Sequence, residues 1–234
     1  MMLPEGDNRY TAIPILNPIS EEFPYMRTTL VPAVIEAAKR NIAQQNKDLW
    51  LFETANVYEP KSLPLTEVPH ERPMACGIMM GKVTEAAWNQ AQRDTDFYDV
   101  KGVVDGLLAK LGLTQYNIQP SSESYYHPGV SAHYTVNGVT IANYGELHPQ
   151  VVKNFDLSGK VYMFEIDLEA VLSITVPPFR YQSFSKFPGT SRDLAIVAPV
   201  SVTSGDIVAL IKEHGGEYLE SVSIFDVYEG EHIE

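Results

Sequence analysis

Cysteine is nearly absent: Cys76 stands alone among 234 residues. One thiol can neither close an intrachain disulfide nor build a thiolate metal cluster, which suits a reducing cytoplasm. In "MACGIMMG" it reads as a small buried hydrophobe. Long apolar runs are missing as well. No stretch approaches the ~20 residues that cross a bilayer, and "MMLPEGDNRY" lacks the charged and apolar regions of a signal peptide, so neither insertion nor export is expected. Basic residues are few, 17 Lys and Arg against 30 Asp and Glu. The net charge of −13 argues against a free-standing binder of nucleic acid or anionic membrane. Catalytic signatures are scarce too: there is no glycine-rich phosphate loop, GxSxG elbow, CxxC pair or HExxH helix.

What the chain has is enough apolar residue, 44%, to bury a real core, patterned as strands and helices in alternation. "YTAIPIL" predicts a short strand. "RTTLVPAVIEAAKRNIAQQN" predicts a helix with Leu30, Val34, Ala37 or Ala38, and Ile42 on one face, capped by Thr28 or Thr29, with Pro32 tolerated in its first turn. "LWLFETANVY" then alternates as a strand, placing Leu49, Leu51, Glu53, Ala55 and Val57 on one face and Trp50, Phe52, Thr54, Asn56 and Tyr58 on the other, so that Glu53 is a carboxylate on an otherwise apolar face. "PKSLPLTEVPHERP" is proline-rich enough to predict a loop, and "MACGIMMGK" a strand buried on both faces.

"DFYDVKGVVDGLLAKLGL" carries Phe97, Val100, Val103 or Val104, Leu107 and Leu111 at helical spacing, ending at Gly112. Asp94, Asp96 and Asp99 before and within it could suggest a Mg²⁺ site. Asp96 as N-cap with Asp99 at the third helical position is the simpler account. "QYNIQ", "SAHYTVN", "VTIANYGEL" and "VYMFEIDL" predict strands, the middle two joined by a tight Asn137-Gly138 hairpin, with a short helix at "PQVVKNFDL". His127, His133 and His148 lie beside turns, where a local role outranks a metal site. The pattern is α+β, an antiparallel sheet with flanking helices. A Pro- and Ser-rich linker follows, and then β-α-β: "RDLAIVAPV", "SGDIVALIKEHGG" and "YLESVSIFDVYEG". That is half of a ferredoxin-like domain. The boundaries so read are 1–176, a linker at 177–190, and 191–234.

The order of "NPISEEFPYMRTTLVPAVIEAAKRN", "LWLFETANVYEP", "DFYDVKGVVDGLL", "YYHPGVSAHYTVNGVTIANYGELHPQV" and "FEIDL" resembles the catalytic-like region of the bacterial phenylalanyl-tRNA synthetase beta-subunit family. The tail "FPGTSRDLAIV...IFDVYEG" is similar to the opening half of that family's anticodon-binding domain, of ferredoxin-like fold. The resemblance implies a class II synthetase fold lacking its first motif, within an α2β2 phenylalanine-tRNA ligase whose active site, ATP and Mg²⁺ belong to the alpha subunit. It implies a cytoplasmic piece of a longer beta subunit, inactive alone, whose partners are the alpha subunit and, weakly or not at all for this piece, tRNA-Phe. The alternative is a stand-alone synthetase-like RNA-binding or regulatory protein.

A class II site neutralises triphosphate with arginines, one from a Phe-Arg-x-Glu strand and one from a glycine-rich strand and helix. Here Phe52 is followed by Glu53, and "VYMFEIDLEAV" contains neither arginine nor glycine. The resemblance therefore marks Phe52 and Glu53 as a pseudo-active-site strand, with no catalytic, cofactor-binding or metal-binding residue and no cofactor of its own. In residues 180–234, four basic side chains face nine acidic ones, a balance of −5 that predicts weak tRNA binding. Phe187, Arg192 and Tyr228 are the candidate tRNA contacts there.

Overall fold

The structure, a computed structural model, describes residues 1–228 apart from 22, 177, 179, 182, 184 and 185. The chain divides into two compact units, Met1–Phe179 and Arg180–Glu234.

The first unit is built on six antiparallel strands in the order β1-β2-β6-β5-β4-β3. These are β1 (Leu49–Glu59), β2 (His70–Met80), β3 (Asn117–Pro120), β4 (Tyr126–Val136), β5 (Val139–Leu147) and β6 (Val161–Asp167). Asn137 and Gly138 join β4 to β5 with φ of 52° and 80°, the pair of positive values that a tight primed turn needs and that Asn-Gly supplies cheaply. Among the described residues the α-helices are α1 (Val31–Ala43), α2 (Phe97–Lys110), α3 (Pro149–Asn154), α4 (Leu168–Ser173) and α5 (Ser204–His214).

The sheet is covered on both faces, so alternate residues of β2 enter different cores. Met74, Cys76, Ile78 and Met80 join the cluster under α1 and α3; Ala75 and Met79 join the cluster under α2 and α4. This is why "MACGIMM" is apolar throughout rather than alternating. Gly77 sits where a Cβ would lie 2.3 Å from the Phe164 ring. The α2 stripe is Val100, Val104 and Leu108, each fully buried, while Leu107 and Leu111 are 41% and 44% exposed. The fully buried residues thus step by four, with Phe97 and Val103 packed partly buried beside them, and the stripe does not run through Leu107 and Leu111. Asp96 and Asp99 form the anticipated capping box.

Several expectations change. "YTAIPIL" makes one isolated bridge, Pro14 to Tyr25, because no neighbouring strand runs beside it. The loop expected to last through Pro73 ends earlier, since β2 begins at His70. Proline is tolerated there because Pro73 pairs only with Asn56 of β1; β6 joins β2 from Met74 onward. α4 was not anticipated and is started by Asp167, whose carboxylate accepts from the Ala170 amide at 2.9 Å.

In the second unit α5 forms as expected, with Thr203 and Asp206 as its capping box. The flanking segments 192–200 and 218–228 are not paired as strands. In a split β-α-β arrangement the two strands are separated by a third, and no described residue supplies it. Leu194, Ile196, Phe225 and Val227 are 64%, 51%, 77% and 75% exposed.

Candidate functional site on the sheet face

One row of paired residues crosses all six strands on a single face: Glu53, Cys76, Glu165, Asn143, His133 and Gln119. Five of the six are polar, whereas the adjoining row on one side, Leu51, Ile78 and Met163, is apolar. Arg27 and Thr29, just ahead of α1, supply partners to it.

The deepest carboxylate is Glu165, 6% exposed. Its two oxygens accept hydroxyl hydrogen bonds, from Thr29 at 2.7 Å and Tyr125 at 2.5 Å. Among the described residues no cation pairs with it, and burial pushes its carboxyl above the ordinary glutamate range. Burial and the nearby Glu165 carboxylate likewise push the Cys76 thiol up, which keeps it protonated and inert. Glu53, the carboxylate that the strand pattern singled out, is shallower: its side chain is 36% exposed and pairs with Arg27. Phe52 points the other way and is 78% exposed.

Two further arginines border the row, and each is enclosed by acids. Arg9 forks onto Asp7 at 2.9 and 2.7 Å, reaches Glu123 at 2.8 Å, and lies 5.6 Å from the centre of the Tyr125 ring. The fork holds Asp7 down to about 2. Arg72 binds Glu59 at 2.5 Å and Asp167 at 3.0 Å, and its Nε is buried without a partner. Between them opens a cleft of about 240 Å³, with Thr29, Tyr125, His133, Asn143 and Glu165 in its walls. The two guanidinium groups that line the cleft, Arg9 and Arg72, share it with Glu123, Glu165 and Asp167, and each is already bound by two carboxylates. Paired in this way, they leave little positive potential for an anion.

The remaining candidates have local work. His127 and His148 accept from the Gly129 and Gln150 amides, both at 3.1 Å, and His133 Nδ1 lies 3.0 Å from the Pro120 carbonyl. Asp94 pairs with Lys82 at 2.7 Å and Asp99 with Arg93 at 2.6 Å. Among the described residues no group of three or more His, Cys, Asp or Glu is arranged to hold a metal. Phe187 and Tyr228 are 83% and 62% exposed, and Arg192 is exposed. The sequence pattern missed Glu165, Arg9 and Arg72. A polar signal was present at each, Glu165 as a lone carboxylate in an apolar strand and Arg9 as the end of an Asp-x-Arg turn.

Residues 1–168 match the family model for the phenylalanyl tRNA synthetase beta chain CLM domain, and residues 185–234 that for a ferredoxin-fold anticodon binding domain. Phenylalanine–tRNA ligase beta subunits are similar over almost the whole chain. That of Halalkalibacterium halodurans is 35% identical over 98% of this chain, that of Symbiobacterium thermophilum 35% over 100%, and that of Bacillus subtilis 37% over 93%. The chain spans only 29%, 26% and 27% of those relatives. In fold it is similar to pyrrolysyl-tRNA synthetase of Desulfitobacterium hafniense, with a TM-score of 0.53 at 12% identity over 73% of this chain and 56% of that one. No helix among the described residues is long and apolar enough to cross a membrane. On the family match and the identity along its length, the chain belongs to the phenylalanyl-tRNA synthetase beta-chain family.

Proposed function

We propose that the first unit is a non-catalytic, interface-forming module of a phenylalanine-tRNA ligase beta subunit, supporting aminoacylation of tRNA-Phe carried out on an alpha subunit in the cytoplasm. One observation carries this reading. The two arginines that line the cleft, Arg9 and Arg72, and Arg27, paired with Glu53, are each held by carboxylates. None of the three is left to meet a triphosphate, and the cleft's Glu123 and Asp167 would repel it. Phe52 and Glu53 then mark a strand with the shape of a synthetase strand and without its chemistry. ATP and Mg²⁺ belong to the alpha subunit's site, and this chain holds neither.

The second unit we read as the opening β-α-β of a ferredoxin-like anticodon-binding domain, with the linker at 177–190. Its strands gain their ladder only beside a third strand. Phe187, Arg192 and Tyr228 are the residues offered to tRNA, and the −5 balance keeps that contact weak in this unit alone.

Co-expression with the alpha subunit, followed by native mass measurement, tests the reading. A complex containing both chains supports it; a chain that stays alone and retains tRNA on a filter at moderate salt supports a stand-alone RNA-binding role instead.

A further inference from the structure

Trp88 sits in the excursion between β2 and α2 and is 98% exposed, so it adds nothing to either core. The excursion that carries it is nonetheless firmly built. At its root the buried Thr95 donates twice to the Gly81 carbonyl, from its amide at 2.8 Å and its hydroxyl at 3.0 Å. Higher up, Lys82 pairs with Asp94 at 2.7 Å, the Val83 amide donates to the Arg93 carbonyl at 3.1 Å, and the Gln92 side chain donates to the Thr84 carbonyl at 3.1 Å. Ala87 and Gln90 form the last bridge, on either side of Trp88.

Folding gains nothing from bracing a stalk whose tip is a solvated indole. Binding does: an indole buries ~150–250 Å² when it enters a pocket, tryptophan is enriched among anchor residues, and a preformed stalk removes the ordering cost. The chemistry of the tip selects the kind of partner. Both cations of the stalk, Lys82 and Arg93, are neutralised by Asp94 and Asp99, leaving nothing for RNA phosphates or an anionic bilayer. Between 85 and 92 the only charged residue is Glu85; Ala, Asn and Gln surround the indole. An aromatic centre with an uncharged rim matches the middle of a protein interface.

We propose that Trp88 is an anchor that inserts into an apolar pocket of another protein chain and, resting on the subunit reading above, that this chain is the synthetase alpha subunit.

The protein contains two tryptophans, so Trp50→Phe leaves Trp88 as the sole indole. The chain labelled with 5-fluorotryptophan and mixed with unlabelled alpha subunit should show its fluorine resonance moving and losing its H₂O/D₂O shift. Trp88→Ala should weaken the complex at least ~30-fold, with the melting temperature of the free chain unchanged. A complex of the expected mass in which Trp88 stays in water and Trp88→Ala binds as well as wild type overturns the anchor while the subunit reading stands. Absence of any complex overturns both. Burial of Trp88 on self-association or on adding tRNA, without alpha subunit, overturns the choice of partner.

Discussion

The Tyr125 hydroxyl donates to the buried Glu165 carboxylate at 2.5 Å, and that pair, with Thr29, closes the middle of the sheet face. The carboxyl is raised by burial. A group raised on folding stabilises fully below its unfolded value, here near 4.5, and loses that contribution as pH rises through its folded value. Glu165→Gln removes the titration and keeps a hydrogen-bonding amide. Its stability relative to wild type should therefore increase on going from about pH 4 to about pH 7, read by urea unfolding at several pH values. Glu165→Leu strands both hydroxyls and should cost roughly 1–3 kcal/mol for each.

Asp7 carries the opposite sign. Arg9 holds it down to about 2, so its contribution is present above the ordinary aspartate value of 3.8 and disappears as pH falls through about 2. Asp7→Asn should destabilise at neutral pH and match wild type near pH ~2. A double-mutant cycle between Arg9 and Glu123 should give a coupling on the order of 1 kcal/mol. Additive single changes would mean that the 2.8 Å contact does not tie Arg9 to the turn between β3 and β4.

Two glycines should respond in opposite directions to the same substitution. Gly77→Ala drives a methyl into the Phe164 ring, whose nearest atom would be 2.3 Å away, and should cost roughly 1–3 kcal/mol. Gly106→Ala, on the exposed side of α2 with nothing within 4 Å of the new Cβ, should stabilise by roughly 0.5–1 kcal/mol. Thermal melts of both variants decide the point.

Local patterning foretold most of the first unit. The alternation in 49–58, the Asp96 capping box and the Asn137-Gly138 turn depend on neighbours in sequence, and each has its expected form. What escaped was set at long range. β2 extends back through Pro73 because β6 leaves that side unpaired, and nothing in "PHERP" announces it. Glu53 drew notice by its strand, yet the buried acid is Glu165, two pairings away across Cys76. Two of the arginines on this face meet acids far away in sequence: Arg9 reaches Glu123 across 114 residues and Arg72 reaches Asp167 across 95. The tail segments read as strands by composition, but a ladder needs a neighbour as well as a propensity.

A cleft over Glu165 that keeps a synthetase's fold without its triphosphate chemistry should take up no nucleotide. Calorimetric titration of the isolated chain with Mg-ATP should give no saturable heat at millimolar nucleotide, and the same preparation should show no ATP–pyrophosphate exchange with phenylalanine. Saturable binding that is lost on changing Arg9 or Arg72 would contradict this, because those guanidinium groups would then be reaching phosphate rather than Asp7, Glu123, Glu59 and Asp167.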